Sequence, residues 1–384
     1  MAAQRRPDDQ PALAPVPVPV DAGCVRDLLR LARGRRVAVV GDVLVDHYLY
    51  GEPVRISREA PVLILRYLDE EDRPGGAANA AANARALGGT VRVVGLVGDD
   101  PPARQLQRLL EARGIQHSLV KDPDRPTTVK SRIVAAGRQA ACQQVLRVDR
   151  WESRPPGEEV QRRLVEQAVQ AVREAETVIL SEYGAGTLAP AVVEAVLRAA
   201  RQEGVPVVAD SRYRLPELRG VQAATPNVPE AESVLGRSLA GEHELVRGGW
   251  ELASRLGVRL LVLTRGDEGM SLFFRDEGRA LRLMPYRPRE VYDVSGAGDT
   301  VVAAVALSLA CGEPYSLAGC LLAAVAAGLV VGKPGVATPE LHEVEAALQE
   351  WTPQLFAWPA APDGALGATP AASRGSPRGV TGPA

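Results

Sequence analysis

Asp293-Val294-Ser295-Gly296-Ala297-Gly298-Asp299-Thr300 runs without a break into the apolar stretch Val301–Cys311, which stops at Gly312. An apolar run of that length closed by a glycine predicts a helix, with Gly296-Ala297-Gly298 at its N-terminus. The backbone N–H groups of a first helical turn have no intrahelical partner. Together with the positive end of the helix dipole they make an anion site. Residues this small let a phosphoryl group approach the backbone closely. Asp299 then lies in the first turn beside the anion, where a carboxylate can accept the proton of an attacking hydroxyl. A plain helix-start aspartate favoured by the dipole would occupy the same position.

Working outward, short β-branched runs alternate with longer helical patterns. Arg36–Val40, Val91–Leu96, Thr177–Leu180, Val205–Ala209, Ala223–Thr225 and Leu260–Leu263 read as strands, and Val160–Ala175 and Pro190–Glu203 as helices. That alternation predicts an α/β fold with a mainly parallel central sheet flanked by helices. Ligands of such sheets bind outside the carboxyl ends of the strands. Those ends are polar here: Asp42, Ser181 with Glu182, Asp210, Asn227 and Thr264. Gly51–Glu71, Thr127–Val134 and Gln144–Val148 are extended, with no helical pattern inside them. They predict a small antiparallel β lid, from about 51–71 and 127–148, an ordinary edge extension being the plainer reading. Residues 1–22 and 352–384 are rich in Pro and Ala and are expected to be a disordered leader and tail around a domain at 23–351.

The net charge of −2 gives no support to a nucleic-acid partner or an anionic membrane surface. No stretch reaches the roughly 20 apolar residues of a membrane span. Prolines 11, 15, 17 and 19 break up the segment after Arg5-Arg6, which argues against an export signal. Cys24, Cys142, Cys311 and Cys320 fit neither a zinc pattern nor a disulfide framework, so a reducing, cytoplasmic setting is expected. Lys121, Lys130 and Lys333 are the lysines, and the remaining 42 of the 45 basic residues are arginine.

Three further motifs bear on chemistry. Pro74-Gly75-Gly76-Ala77-Ala78-Asn79 opens an alanine-rich helix, its glycines suggesting close backbone approach to a ligand. Asn79 and Asn83 share a face of that helix, either to bind or as an amide network within the core. Thr264-Arg265-Gly266-Asp267-Glu268-Gly269 follows a strand and suits nucleotide phosphate or ribose, although a hairpin turn has the same composition. In Thr225-Pro226-Asn227-Val228-Pro229-Glu230 the glutamate could act on Mg²⁺ through water, and a simple capping box would use the same pair. There is no Walker lysine motif, no Gly-x-Gly-x-x-Gly after the first strand and no histidine triad.

In this order the motifs resemble the ribokinase-like (PfkB) carbohydrate kinases, over about Val37 to Leu348. The resemblance implies Asp299 as catalytic base and Gly296, Ala297 and Gly298 as the anion hole. It implies Asn227, Glu230, Thr264, Gly266 and Gly269 at ATP, with Mg²⁺ reached by Glu230 through water. Asp42, Asp46, Gly75, Gly76 and Asn79 are expected at the sugar, and Asp293 beside a monovalent cation such as K⁺. A narrower resemblance joins Gly41–Asp46, Arg55–Val62, Arg73–Asn79, Val291-Tyr292-Asp293 and Val331-Gly332-Lys333 to the kinases of bacterial ADP-heptose synthesis. Those enzymes phosphorylate D-glycero-D-manno-heptose 7-phosphate at C1, toward lipopolysaccharide core. Arg58 stands where that group usually has proline, and Asp210-Ser211-Arg212 where it usually has Asp-Pro-Lys. The His-x-Gly-His motif of the nucleotidyltransferase fused to many of them does not occur.

A sugar phosphate needs cations, for which Lys130 and Arg147, with Arg55 and Arg132, are the candidates. Lys130 as a solvated strand residue is the plainer alternative. The expected partners are therefore ATP and a sugar phosphate, with no nucleic acid and no membrane, and the lid could pair two copies in a homodimer. A kinase for a fructose phosphate or ribose is the neighbouring alternative. A sugar sensor without chemistry is the remote one, opposed by Asp299 and the intact Gly-Ala-Gly.

Overall fold

A computed structural model describes residues 16–137, 140–286, 292–312, 314 and 316–358. Its strands are β1 (Val16–Val18), β2 (Arg36–Gly41), β3 (Val43–Ile56), β4 (Leu63–Gly76), β5 (Thr90–Val97), β6 (Gln116–Lys121), β7 (Val129–Gly137), β8 (Ala140–Arg150), β9 (Thr177–Glu182), β10 (Val207–Ser211), β11 (Ala223–Ala224), β12 (Leu260–Thr264), β13 (Met270–Phe274), β14 (Arg279–Leu283) and β15 (Leu355–Ala357). The central sheet runs β1-β15-β14-β13-β12-β11-β10-β9-β2-β5-β6. From β12 to β6 every pairing is parallel, and from β12 to β1 every pairing is antiparallel.

Side-chain alternation explains why this sheet is buried on both faces. Val37, Val39, Ile179, Leu260 and Val262 belong to one core, and Ala38, Val40, Leu180, Leu261 and Leu263 to the other. The first core is covered by α1 (Gly23–Ala32), α2 (Ala77–Ala86) and α3 (Pro101–Glu111), and the second by α4 (Glu158–Glu174) and α5 (Pro190–Glu203). Between β11 and β12 lie α6 (Val228–Leu235) and α7 (Glu242–Leu256), which also pack on the second core. Finally α8 (Ala297–Ala310), α9 (Ser316–Val331) and α10 (Leu341–Glu350) complete the first. Helices α8 and α9 are apolar on all sides because almost every residue in them is buried. A Cβ on Gly319 would stand 2.3 Å from Ser308 Oγ, so that glycine permits their close approach. Among the described residues no helix is long and apolar enough to cross a membrane.

One expectation changes. Residues 16–22 and 352–358 are part of the fold. Strand β15 pairs with both β14 and β1, Leu355 is buried, and the Trp358 ring stacks on Phe273 at 6.5 Å. The pairing is invisible in composition because its two strands have three residues each and lie at opposite ends of the chain. Residues 1–15 and 359–384 lie outside the described residues. The expected lid is present as a four-stranded sheet β4-β3-β7-β8. Two antiparallel hairpins, β3–β4 and β7–β8, are joined by a parallel β3–β7 pairing. Strand β3 starts at Val43, so the chain passes from the central sheet into the lid directly after Asp42.

Candidate active site

Helix α8 begins at Gly296, whose φ of +84° is readily adopted only by glycine, and no side chain caps it. A Cβ on Gly296 would lie 2.8 Å from Asn79 Nδ2, while one on Gly298 would meet nothing within 4 Å. The first glycine therefore fits against α2, and the second borders open space. Asp299 is 4% exposed. Its carboxylate is held by two donors from different elements: Asn79 Nδ2 to Oδ2 at 2.7 Å, and the Tyr183 hydroxyl to Oδ1 at 2.8 Å. Burial raises its pKa from the ordinary 3.8 to about 6, and the Asn79 and Tyr183 bonds hold it from rising further. That value suits a base working near neutrality.

The Asn79–Asn83 face forms an amide network. Asn83 Nδ2 donates to the Asn79 side chain, and Thr300 Oγ1 donates to Asn83 Oδ1 at 2.8 Å, so the amides form a buried network ending on Asp299. The double glycine fits closely against neighbouring protein. A Cβ on Gly75 would lie 2.1 Å from Asp46 Oδ2, and one on Gly76 2.5 Å from the Asp42 carbonyl oxygen. Asp46 is buried in an ion pair with Arg132. Asp42 accepts the N–H groups of Tyr183, Ala185 and Thr187 at 2.8–3.0 Å. Three of about four acceptor positions on its carboxylate are thus committed to backbone. Asp42 and Asp46 organise the walls of the site, and Asp42 also borders the cavity beside Tyr183.

Beside Tyr183 lies a cavity of about 570 Å³, lined among others by Lys130, Arg147, Trp151, Glu182, Arg212 and Tyr213. Lys130, from β7, is part-buried with its Nζ 4.8 Å from the Tyr183 ring centroid. Desolvation lowers its pKa. Arg147 is already paired with Asp149, at 2.6 and 2.7 Å. Arg212 lies over the ring of Tyr213. Among the described residues, neither Lys130 nor Arg212 has a carboxylate within ion-pairing distance. The lid wall over the cavity comes from residues 128–151, and residues 51–71 do not line it. Arg55, at the far end of β3, is exposed and outside it. The sequence did not single out Tyr183 or Trp151, and Arg212 entered only as part of Asp210-Ser211-Arg212. The one signal for Tyr183 was Tyr183-Gly184-Ala185-Gly186 directly after the polar end of β9.

The proposed nucleotide elements lie side by side. Asn227 and Thr264 form a parallel bridge, and Thr264 N donates to the Pro226 carbonyl. Asn227 and Glu230 form a capping box, with bonds of 2.8 and 2.9 Å. Gly269 has φ +88°, and a Cβ there would lie 2.1 Å from the Leu283 carbonyl, so the β12–β13 hairpin itself requires this glycine. Gly266 borders open space. Asp210 is pushed well above the usual carboxylate range by desolvation and by the charges of Asp299 and Glu230, and burial raises Glu230 as well. Carboxyls crowded in this way suit a divalent cation. Among the described residues no three acidic, histidine or cysteine side chains converge closely enough to ligate a metal by themselves. Mg²⁺ keeps several waters and takes ligands from substrate phosphates, so Glu230 and Asp210 would reach it through water or beside the nucleotide. The Asp293 carboxylate accepts Ser295 N–H and shapes the turn before Gly296. Val291 lies outside the described residues.

A buried carboxylate at an uncapped glycine turn, on the carboxyl edge of a parallel sheet, is an arrangement suited to transfer of a phosphoryl group to a hydroxyl. The pattern of the pfkB family carbohydrate kinases matches residues 35–343, and the chain belongs to that family. It is a sugar kinase, with ATP as the donor the family implies. It is 38% identical over 310 residues to "Bifunctional protein HldE" of a Nitratiruptor species and 40% identical over 322 residues to that of Geobacter metallireducens. These matches cover 81% and 83% of this chain, which spans 64% of the length of each relative. Escherichia coli phosphofructokinase-2 in complex with substrates and products has the same fold, with TM-score 0.67 and 17% identity over 82% of this chain and 98% of that one. Arabidopsis thaliana ribokinase complexed with ribose and ATP has TM-score 0.63 and 22% identity, over 83% of this chain and all of that one.

Proposed function

We propose that the chain phosphorylates D-glycero-D-manno-heptose 7-phosphate at C1, using ATP. The observation that carries this reading is the part-buried Lys130, without a carboxylate partner among the described residues, in a cavity shared with Arg147 and Arg212 and bounded by Tyr183. A part-buried cation with no direct ion pair, only the more distant charges of Asp46 and Asp149, keeps a desolvation cost that a substrate phosphate would offset. The sequence likeness to heptose phosphate kinases at residues 41–46 and 73–79 points to the same sugar.

Asp299 takes the proton of the C1 hydroxyl, the sugar oxygen forms its bond to the γ-phosphorus, and ADP leaves. Gly296, Ala297, Gly298 and Asp299 N–H groups stabilise charge on the moving phosphoryl group. Asn227, Glu230, Thr264 and Gly266 hold the nucleotide side, and Mg²⁺, reached by Glu230 through water, would neutralise phosphate charge there. A monovalent cation beside Asp293 belongs to the same reading and is tested by replacing K⁺ with Na⁺. So does a lid-mediated homodimer, supported by the exposed Ile56, Val62, Tyr67 and Leu68 of the β3–β4 hairpin and tested by light scattering.

The deciding experiment compares kcat/KM for the free heptose and its 7-phosphate. A loss of about 10² or more without the phosphate is expected from charge-assisted bonds. Equal values would refute the sugar-phosphate reading and leave the family membership standing.

A further inference from the structure

The Asp299 carboxylate would be free to turn about its terminal torsion if a single donor held it. Two donors, one on each oxygen, prevent this: Asn79 on α2 and Tyr183 on the loop after β9. We propose that Tyr183 is a positioning residue for the base, its hydroxyl fixing the orientation of the Asp299 carboxylate for proton abstraction. A carboxylate offers about four acceptor positions, so two bonds leave room for the substrate hydroxyl.

The loop that carries Tyr183 is built for fixed placement. Asp42 grips it by the N–H groups of residues 183, 185 and 187. Gly184 and Gly186 turn it with φ of +77° and +86°. A Cβ on Gly186 would lie 2.8 Å from the Arg154 carbonyl, so the loop also abuts the segment after β8. Lys130 covers the Tyr183 ring. Asp42 therefore acts on the base through Tyr183, which gives that buried carboxylate a role with most of its acceptor positions taken by backbone. The charged groups facing Asp299 are Asp46 on β3, Lys130 on β7 and Asp210 on β10, while α2 contributes the neutral Asn79. Asp46 opposes ionisation of Asp299, whereas Lys130 and the two hydrogen bonds favour it.

The proposal rests on the sugar kinase chemistry and not on the identity of the sugar. The acceptor in the test is therefore whichever member of a sugar and sugar-phosphate panel the wild-type chain turns over fastest. Failure of heptose 7-phosphate in that panel overturns the substrate reading alone. With Tyr183→Phe, kcat at pH 7 should fall on the order of 10-fold. The acid limb of kcat/KM should move to higher pH, because a donor to the ionised form is lost. The loss should shrink above pH 8, and KM for ATP should be unchanged. A loss that is uniform in pH, or no loss at all, overturns the assignment. Asp42→Asn keeps the hydroxyl and loosens the loop, so it should move the acid limb the same way by a smaller amount. If Tyr183→Phe does not fold, an unmoved limb in Asp42→Asn overturns the proposal by itself.

Discussion

Replacing Asp299 by Asn tests activity and stability together. The side chain keeps its size, and its amide can still accept from Asn79 and donate to the Tyr183 oxygen. Activity should fall by about 10²–10⁴, the usual contribution of a general base, with ATP affinity little changed. The stability effect follows from the pKa, about 6 against the ordinary 3.8. A difference of roughly two units corresponds to about 3 kcal/mol between the protonated and ionised folds. The folded carboxyl holds its proton more tightly than the unfolded one. The resulting stabilisation is complete below about pH 4 and is lost as pH rises through about 6. At pH 8 the wild-type fold carries the full cost of a buried charge, and the neutral amide of Asp299→Asn removes it. The variant should then melt several degrees higher at pH 8 and close to wild type at pH 4.5. Calorimetry at the two pH values, beside steady-state kinetics, reads both effects. Near-normal turnover would refute the base assignment. A melting difference independent of pH would refute the account of a charge held at a desolvation cost.

In the wild type, kcat/KM should fall about tenfold per pH unit below 6, as Asp299 takes up its proton, and a pH–rate profile checks this. Gly296→Ala forces a side chain into φ +84° and within 2.8 Å of Asn79 Nδ2, so kcat should drop by roughly 10² with the protein still folded. Trp358→Ala, or truncation before it, should cost about 3–5 kcal/mol by removing the ring stacked on Phe273; an unchanged melting temperature would show that the terminal segment does not dock. Lys130→Ala should raise KM for the sugar phosphate more than for ATP, whereas Arg55→Ala, outside the cavity, should leave both alone.

The parallel sheet, the apolar helix α8 and the glycine turn at its start were legible in the sequence. Each is a local signal: short β-branched runs between helical patterns, an all-apolar run, small residues at a helix start. The place of Asp299 in the first turn of α8 was legible because it depends on the turn beside it. The capping box at Asn227 and Glu230 was legible too, since cap and carboxylate lie three residues apart. What depends on pairing distant segments was not. The β1–β15 pair joins the two ends of the chain. The parallel β3–β7 pairing sets which lid strands wall the cavity, and so whether Lys130 or Arg55 faces it. Asp42 and the double glycine carried no local sign of their protein partners. Tertiary structure turns Asp42 toward three backbone amides and fills the space beside the glycines with protein. Tyr183 gave almost no local signal, because its hydroxyl meets Asp299 only when the loop after β9 and the start of α8, 116 residues apart, fold against each other. A sequence reports the propensity of each segment, and the partners of a buried polar group are decided only when the segments pack.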